Sequence, residues 1–517
     1  MATKKTRYVL LPSEGMEVST ANEHQMQLFQ DLHNASSSAG KRHMLSTATG
    51  TMAINVIDSI GENKAKLIEV SPDDLPAFRG THPSVRVMPL VYYQRAVVRR
   101  RVLAAPKAAT ARAGAKKSAG KKTGKAAKAA VAAGGITVTV ISAKDGKTVA
   151  GAMVVAFTDF VGRAGAQGTT NTKGQVALAL GSATKKVERV YVYPKSGYWP
   201  AMQSNLTLTT GSRIVLQPID TAYVDCVRYF YGGGDLNSGN GVTVGVIDSG
   251  VATNHPDLAV QGGQNTVPGE KPQDFGDNGT EGHGTHVAGI IAARGTAPKG
   301  IRGVAPSVTL RSYRVFGKDG DNASNYAIAK AIDAGVADKC DLLNMSLGGG
   351  DPDPVTTEAI AAAYRAGVVI FAANGNDDRK PVSFPAANDM CQAVSAMGRK
   401  GTFPSGTEPA GSVAAPYGKD KKNFIASFSN VGTDTDLTGP GVGVISTVPW
   451  GYGVMSGTSM ATPAETGAAA RLLAAKPAIL AMPRDQHRAA AMVATIAQAC
   501  KLFGFGASFE GKGMISF

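Results

Sequence analysis

The chain has 517 residues, 43% of them hydrophobic, which is enough for several domains that each bury a core. Its formal net charge of +15 raises nucleic acid or an anionic surface as a partner, but twelve basic residues and no acidic one lie between Arg95 and Lys128, so most of the excess belongs to one segment. Four cysteines (Cys226, Cys340, Cys391, Cys500) with neither C-x-x-C nor zinc-finger spacing exclude a stapled disulfide scaffold and a zinc ribbon. Buried free thiols are the expectation, with two disulfides as the alternative. Met1 to Pro12 has no apolar stretch before a small-residue cleavage site, so no Sec signal peptide is expected. The apolar run nearest in length to a membrane span, Ala359 to Ala373, is short and broken by Arg365. A soluble chain is expected, cytoplasmic or exported by another route.

In chain order, residues 1–94 read as a small α/β domain. Gln25–His33 has the spacing of a helix, and Ala65–Val70 and Val85–Tyr93 read as strands. Residues 95–134 are Ala, Lys, Gly, Thr and Ser with almost nothing to form a core, which predicts a disordered linker. No aromatic residue interleaves its lysines for base stacking, so no nucleic-acid partner is expected. Residues 135–218 carry the β-rich runs ITVTVIS, AMVVAFTDF, GQVALAL, VERVYVYP and SRIVLQP, separated by turns such as Asp145-Gly146 and Lys173-Gly174; a β-sandwich fits them. Residues 219–517 alternate short apolar strands (VTVGVID, VTLRSYRVF, DLLNMSL, GVVIFAA) with helical patterns at His283–Ala293, Ser324–Ala337 and Pro354–Ala366. That alternation predicts an α/β fold, a mostly parallel sheet with helices on both faces, whose chemistry lies beyond the carboxyl ends of the strands.

Three segments of this last region hold candidate chemistry. VTVGVIDSGV ends a strand on Asp248, which alone would read as a turn or helix-cap carboxylate. GHGTHVAGIIAA places His283 and His286 at a helix start among glycines. No carboxylate follows at zincin spacing, so a metal pair is disfavoured; His283 is left unobstructed by Gly282 and Gly284, and His286 reads as structural. SGTSMATPA sets Ser459 at a helix start, with Pro463 placed in the first turn and free backbone N–H groups beside it. Ser456 and Thr458 read as loop hydroxyls.

Together, Asp248 in DSGV, His283 in HGTHVAG and Ser459 in GTSMATP resemble the three signature motifs of the subtilase family, in that family's chain order, over roughly residues 220–517. The resemblance implies a subtilisin-like serine endopeptidase: Ser459 as nucleophile, His283 as general base and acid, Asp248 orienting the imidazole. GVVIFAANGNDD resembles the strand that ends on the family's oxyanion-hole asparagine. It aligns Asn376 with that residue and leaves Asn374 as runner-up; the Ser459 N–H would be the second donor.

The same resemblance assigns Ser346, Leu347 and Gly348, in NMSLGGG, to the edge that pairs with extended substrate and lines the S1 pocket. Gly320 to Ala323, in KDGDNAS, fall on the opposite edge, with one residue more than the family pattern. The glycines suggest room for a large side chain before the cut. No cofactor is implied. Asp257 matches a family calcium position, but its partner loop carries Arg294 and Lys299 where oxygen ligands belong; calcium elsewhere stays open. The stretch AKLIEVSPDDLPAFRGTHPSVRVMPLVYYQR resembles the end of the family's inhibitory propeptide, which implies a self-inhibited zymogen with Tyr92 and Tyr93 near the S1 and S2 sites. The cut is then expected after Tyr93 or in the linker. Partners so implied are protein or peptide substrates and the chain's own N-terminal domain. The 135–218 segment resembles carboxypeptidase-regulatory-like and Cna-B-like sandwich modules, which implies spacing, adhesion or substrate presentation.

Overall fold

A computed structural model of the chain describes residues 5–13, 23–37, 42–47, 50–98, 100–105, 135–182, 184–232, 235–277, 282–318 and 320–517. Most of the basic linker, residues 106–134, lies outside them, as does the expectation made for it.

An eight-stranded sheet organises the C-terminal region. Its order is Val260–Asn265, Thr309–Arg314, Thr243–Asp248, Leu342–Met345, Val369–Ala373, Cys391–Arg399 and Asn423–Ile425, with Leu437–Pro440 also paired to Cys391–Arg399. Every pairing is parallel except that of Asn423–Ile425. Alternate side chains feed two cores: Val369 and Phe371 point to one, Ile370 and Ala372 to the other. Helices His283–Ala292 and Thr458–Ala474 cover the first face through Val287, Ile291, Met460 and Ala464. Asn325–Ala337 and Pro354–Arg365 cover the second through Ile328, Ile332 and Ile360. The strand Thr243–Asp248 has later strands on both sides, so its carboxyl end opens at the point where strand order reverses.

The N-terminal residues form an antiparallel sheet ordered Arg42–Thr47, Gly50–Ser59, Lys66–Val70, Thr6–Leu11, Arg86–Pro89. Helix Glu23–Ser37 packs Leu28, Phe29 and Leu32 on one face. The other face presents Val9, Leu11 and Leu67 to the second core, against Asn325–Ala337 and Pro354–Arg365. Ion pairs Lys64–Asp333 (2.6 Å), Lys330–Asp58 (2.6 Å) and Arg86–Glu358 frame that contact. The single strand expected over Val85–Tyr93 is two: Arg86–Pro89 ends in a proline that cannot continue the ladder, and Tyr92–Arg95 leaves for a different sheet.

Seven strands between Ile136 and Leu216 form a three-stranded and a four-stranded sheet that share one core, including Val138, Val140, Val154 and Val190. Gly174 is required at its turn: at φ 69°, a Cβ there would lie 2.9 Å from the Val140 carbonyl oxygen. This sandwich is seated on the C-terminal region. Trp199, 2% exposed, enters the first core beside Tyr223, and Gly197 N–H donates to Tyr452 O at 2.8 Å.

The four cysteines are free thiols, three of them buried. Burial pushes the Cys226 and Cys391 thiols well up and Cys340 and Cys500 to about 12, so none is a ready thiolate. No helix among the described residues is long and apolar enough to cross a membrane.

One buried acid sets a pH dependence of stability. Glu465, inside helix Thr458–Ala474, accepts from Tyr231 OH (2.5 Å) and Ile515 N–H (3.0 Å). Burial raises its carboxyl from 4.5 to about 8. The folded chain therefore holds a proton that the unfolded chain releases. The stabilisation is full below pH 4.5 and is lost as pH rises toward 8, by a few kcal/mol at about 1.4 kcal/mol per pH unit. Glu465→Gln, made in an inactive Ser459→Ala background to prevent self-digestion, should gain urea resistance over its parent at pH 8 and not at pH 5. An equal difference at both pH values would discard Glu465 as the source.

Candidate active site

Asp248 is the last residue of Thr243–Asp248 and is fully buried. Its carboxylate faces the ring of His283, with Nδ1 2.8 Å from Oδ1 and 3.0 Å from Oδ2, and Oδ1 also accepts from Ser249 N–H at 2.7 Å. His283 is the first residue of its helix. The flanking glycines permit the approach. A Cβ on Gly284 would sit 2.2 Å from Gly250 O, and one on Gly282, at φ 69°, 2.6 Å from Pro449 Cδ. His283 Nε2 is buried with no hydrogen-bond partner. His286 is structural, with Nε2 3.0 Å from Val444 O.

Ser459 lies in the first turn of Thr458–Ala474. Its hydroxyl donates to Ser346 O at 3.1 Å, so reaction with the imidazole requires the hydroxyl to turn from that carbonyl. Pro463 is in the second turn of this helix, not the first as the sequence suggested. Lacking an N–H, it leaves Ser459 O without its i+4 donor; Ser346 Oγ supplies one at 2.9 Å. Asn344 Nδ2 donates to Ser346 Oγ (3.0 Å), and Thr466 Oγ1 to Asn344 Oδ1 (3.0 Å). The strand bearing Asn344 and the helix bearing Ser459 are thus tied, through Ser346, by a buried polar chain.

Asn376 is brought to this helix start and Asn374 is not. Asn374 Nδ2 is spent on Asn430 O and Thr435 Oγ1. Asn376 Oδ1 accepts from Thr458 N–H (2.9 Å) and Thr458 Oγ1 (3.1 Å), which turns its buried Nδ2 outward with no partner. Thr458, read from sequence as a loop hydroxyl, therefore orients Asn376; its position directly before Ser459 was the available signal. An unpartnered buried donor costs roughly 1–3 kcal/mol, and such a group calls for an acceptor supplied from outside the fold.

The Ala96 carbonyl oxygen lies near this donor without bonding it. Ser459 N–H donates to Ala96 O at 3.2 Å. A Cβ on Gly457 would lie 2.6 Å from Ala96 O and 3.4 Å from Asn376 Nδ2, so both face one small space that glycine keeps open. Around it, Tyr92–Arg95 is the middle strand of a three-stranded antiparallel sheet, between Asn322–Ser324 and Leu347–Gly348. Gln94 is opposite both Asn322 and Gly348. Ala96 N–H donates to Ser346 O (3.1 Å) and Val98 N–H to Ser456 O (3.0 Å).

Three expectations are corrected by this register. Tyr93 is not at Ser459 N–H; Ala96 is, and Tyr93 lies three residues upstream in a separate pocket. There its ring meets Phe384 at 6.0 Å and its hydroxyl donates to Asp353. Gly320 falls before the paired stretch, which begins at Asn322. Residues 95–98 and 100–105 are not linker, because their backbone is held by these edges and, at Ala104, by Ala164 of the sandwich. Ser346, Leu347 and Gly348 lie on the edge where the sequence placed them. A cavity of about 230 Å³, lined by Ala96, Gly348, Gly349, Gly375, Asn376 and Ser383, lies beside the small Ala96 side chain, so a larger one has room there.

Asp257 is buried beside the Arg294–Lys299 loop. Its Oδ2 accepts from Ile301 N–H and Tyr452 OH, both at 2.9 Å, while the Arg294 guanidinium donates to Pro306 O. Among the described residues no group of three or more His, Cys, Asp or Glu side chains is placed to hold a metal ion.

Comparison with known proteins agrees with this geometry. The subtilase family model matches residues 239–507. Subtilisin BL of Lederbergia lenta is 38% identical over 234 residues, 45% of this chain and 76% of that protein. Subtilisin DY of Bacillus licheniformis is 36% identical over 248 residues, 47% of this chain and 80% of that protein. Subtilisin E of Bacillus subtilis is 38% identical over 242 residues, 46% of this chain and 57% of that protein. The described residues ahead of position 239, including the sandwich and the N-terminal sheet, lie outside the family match. The chain belongs to the subtilase family and is a serine endopeptidase.

Proposed function

We propose that Asp248, His283 and Ser459 are the catalytic triad, that Asn376 Nδ2 and Ser459 N–H form the oxyanion hole, and that the chain is made as a zymogen which cuts itself between Ala96 and Val97. The observation that carries this reading is the Ala96 carbonyl oxygen resting on Ser459 N–H, with the residues before it paired to both edges of the cleft.

Hydrolysis would run as follows. Ser459 Oγ attacks the Ala96 carbonyl carbon while His283 Nε2 takes the hydroxyl proton. Asp248, on Nδ1–H, keeps Nε2 free to accept it and stabilises the imidazolium. The negative charge that develops on oxygen meets Asn376 Nδ2 and Ser459 N–H, donors already in place. Nε2 then gives its proton to the Val97 nitrogen, the C–N bond breaks, and residues up to Ala96 remain as an ester on Ser459. Water, deprotonated by the same imidazole, releases the acid and restores the hydroxyl. Protein substrates would follow the same course, paired between Asn322–Ser324 and Leu347–Gly348.

Until it dissociates, the N-terminal domain blocks the cleft with its own tail, held by the sheet contact on Asn325–Ala337 and Pro354–Arg365. N-terminal sequencing and intact mass of purified protein test this: the first new terminus should be Val97, and a fluorophosphonate should label Ser459 only after that cut. A first terminus at Gln94 or within 106–134 would overturn the register. Labelling of intact chain at the rate of cut chain would overturn the self-inhibition.

A further inference from the structure

We propose that the β-sandwich completes the substrate cleft beyond the cut, where Phe160, Tyr193 and Asp378 form a subsite for an arginine at the fourth residue after the scissile bond. This rests on the reading of Ala96–Val97 as the bond cut, which makes Arg100 the fourth residue past it.

Beyond Val98 the chain leaves the catalytic region for the sandwich. Arg100 N–H donates to Tyr193 OH at 3.2 Å, and Val102 N–H to Gln167 Oε1 at 2.8 Å. Leu103 N–H donates to Arg163 O and Gly165 N–H to Ala104 O, both at 3.0 Å. Ala164–Thr169 is the outer strand of the four-stranded sheet, so its free edge accepts an extended chain. The two edges that hold residues before the cut belong to the catalytic region; these contacts after it are supplied largely by the sandwich.

The Arg100 side chain is only 17% exposed. Its guanidinium makes two bonds to the Asp378 carboxylate, at 3.1 and 3.3 Å, and lies 5.8 Å from the centre of the Phe160 ring. It occupies a cavity of about 300 Å³ walled by Phe160, Arg189 and Tyr191 of the sandwich and by Asp378, Glu408 and Ser412 opposite. Arg189 is the one cation in that wall and is stacked on Phe160 at 3.7 Å; opposite it lie the Asp378 carboxylate and Glu408, whose carboxyl is raised by burial to about 7. Planar, forked and able to lie on a ring, a guanidinium suits this site in a way an ammonium does not. Asp378 is 58% exposed, so solvent screens the ion pair and the expected discrimination is modest.

The test is a competition within one preparation of the processed, sandwich-bearing enzyme. Peptides Tyr-Gln-Arg-Ala-Val-Val-Arg-X-Arg, with X as Arg, Lys or Ala, are mixed and their products counted by mass. Any segment of the enzyme still in the cleft lowers all rates equally and leaves the ratio of kcat/KM unchanged. The Arg peptide should be cut about fivefold faster than Ala, with Lys between. In Phe160→Ala and in Asp378→Asn the Arg/Ala ratio should fall toward one; as a ratio it is insensitive to partial misfolding. Cutting at Ala-Val with a wild-type ratio near one overturns the subsite and leaves the cleft register standing. Cutting at another bond in every peptide overturns the register, and the subsite with it.

Discussion

Ser459→Ala should yield a chain that stays uncut and hydrolyses peptides slower by on the order of 10⁶, a magnitude taken from subtilisin itself and not from this structure. The loss is expected to be near total because the three groups act as one. Without Oγ no acyl-enzyme forms, and the proton that His283 Nε2 would accept is gone. The fold should barely notice. The hydroxyl's one hydrogen bond is to Ser346 O, worth about 1 kcal/mol net, and the methyl group fits the same buried space. The polar chain through Asn344, Ser346 and Thr466 stays intact because it ends on the Ser459 backbone oxygen. Intact mass and peptide kcat/KM, measured beside a urea melt, read both effects. Turnover persisting in Ser459→Ala, still blocked by a fluorophosphonate, would assign the nucleophile to another hydroxyl, Ser456 or Thr458.

Much of this site was legible from its local motifs, for a physical reason. A strand ending on Asp248, glycines packed around His283 and a hydroxyl at a helix start are short segments whose geometry is dictated within a few residues. The register of the tail was not legible. It depends on which of Tyr92, Tyr93 and Ala96 reaches the oxyanion donors, and that is set by pairing with Asn322–Ser324 and Leu347–Gly348, more than 200 residues away. The resemblance to a propeptide tail pointed to a cut after Tyr93 or in the linker, with Tyr92 and Tyr93 near the S1 and S2 sites. The fold gives the Tyr93 ring a pocket beside Phe384 and Asp353 and rests the Ala96 carbonyl on Ser459 N–H, which is the bond proposed for the cut. Of the edge expected over Gly320–Ala323, Asn322 and Ala323 pair with the tail and Gly320 lies ahead of it, because the loop carries one residue more than the family pattern. Composition misled at residues 95–98 and 100–105. The basic character that marks 106–134 begins at Arg95, but Arg95 and Arg100 have carboxylate partners in Asp321 and Asp378 and backbone partners along the cleft. The role of the sandwich was invisible because its contacts with the cleft come from one outer strand and a few side chains.

The second large effect follows from that displaced tyrosine. Tyr93→Ala should weaken the hold of the N-terminal domain on the cleft by about 3–5 kcal/mol, the usual cost of deleting a buried aromatic ring. That is roughly 10² to several times 10³ in its inhibition constant, at 1.4 kcal/mol per factor of ten. Tyr93 has no exposed surface, its ring lies against Phe384 and Gly350, and its hydroxyl donates to Asp353 and to Asp351 O. Asn325 Nδ2 and Thr356 N–H still donate to Asp353 Oδ1, but Oδ2 loses the Tyr93 hydroxyl, so the loss should combine apolar contact with one buried hydrogen bond. The N-terminal domain should fold unimpaired, since Tyr93 packs with the catalytic region and not in the domain's own core of Leu28, Phe29 and Phe78. Tyr92, 54% exposed on the opposite side of the same strand, is the control: Tyr92→Ala should change inhibition by less than about 0.5 kcal/mol. The measurement separates the N-terminal fragment after the cut and titrates it back onto active enzyme. Equal inhibition by the Tyr93→Ala and unmodified fragments would mean that the sheet contact on Asn325–Ala337 and Pro354–Arg365, and not the tail, carries the affinity. A large difference would make the same pocket the strongest determinant of which protein segments the mature cleft prefers, because a substrate's fourth residue before the cut must enter where Tyr93 now sits.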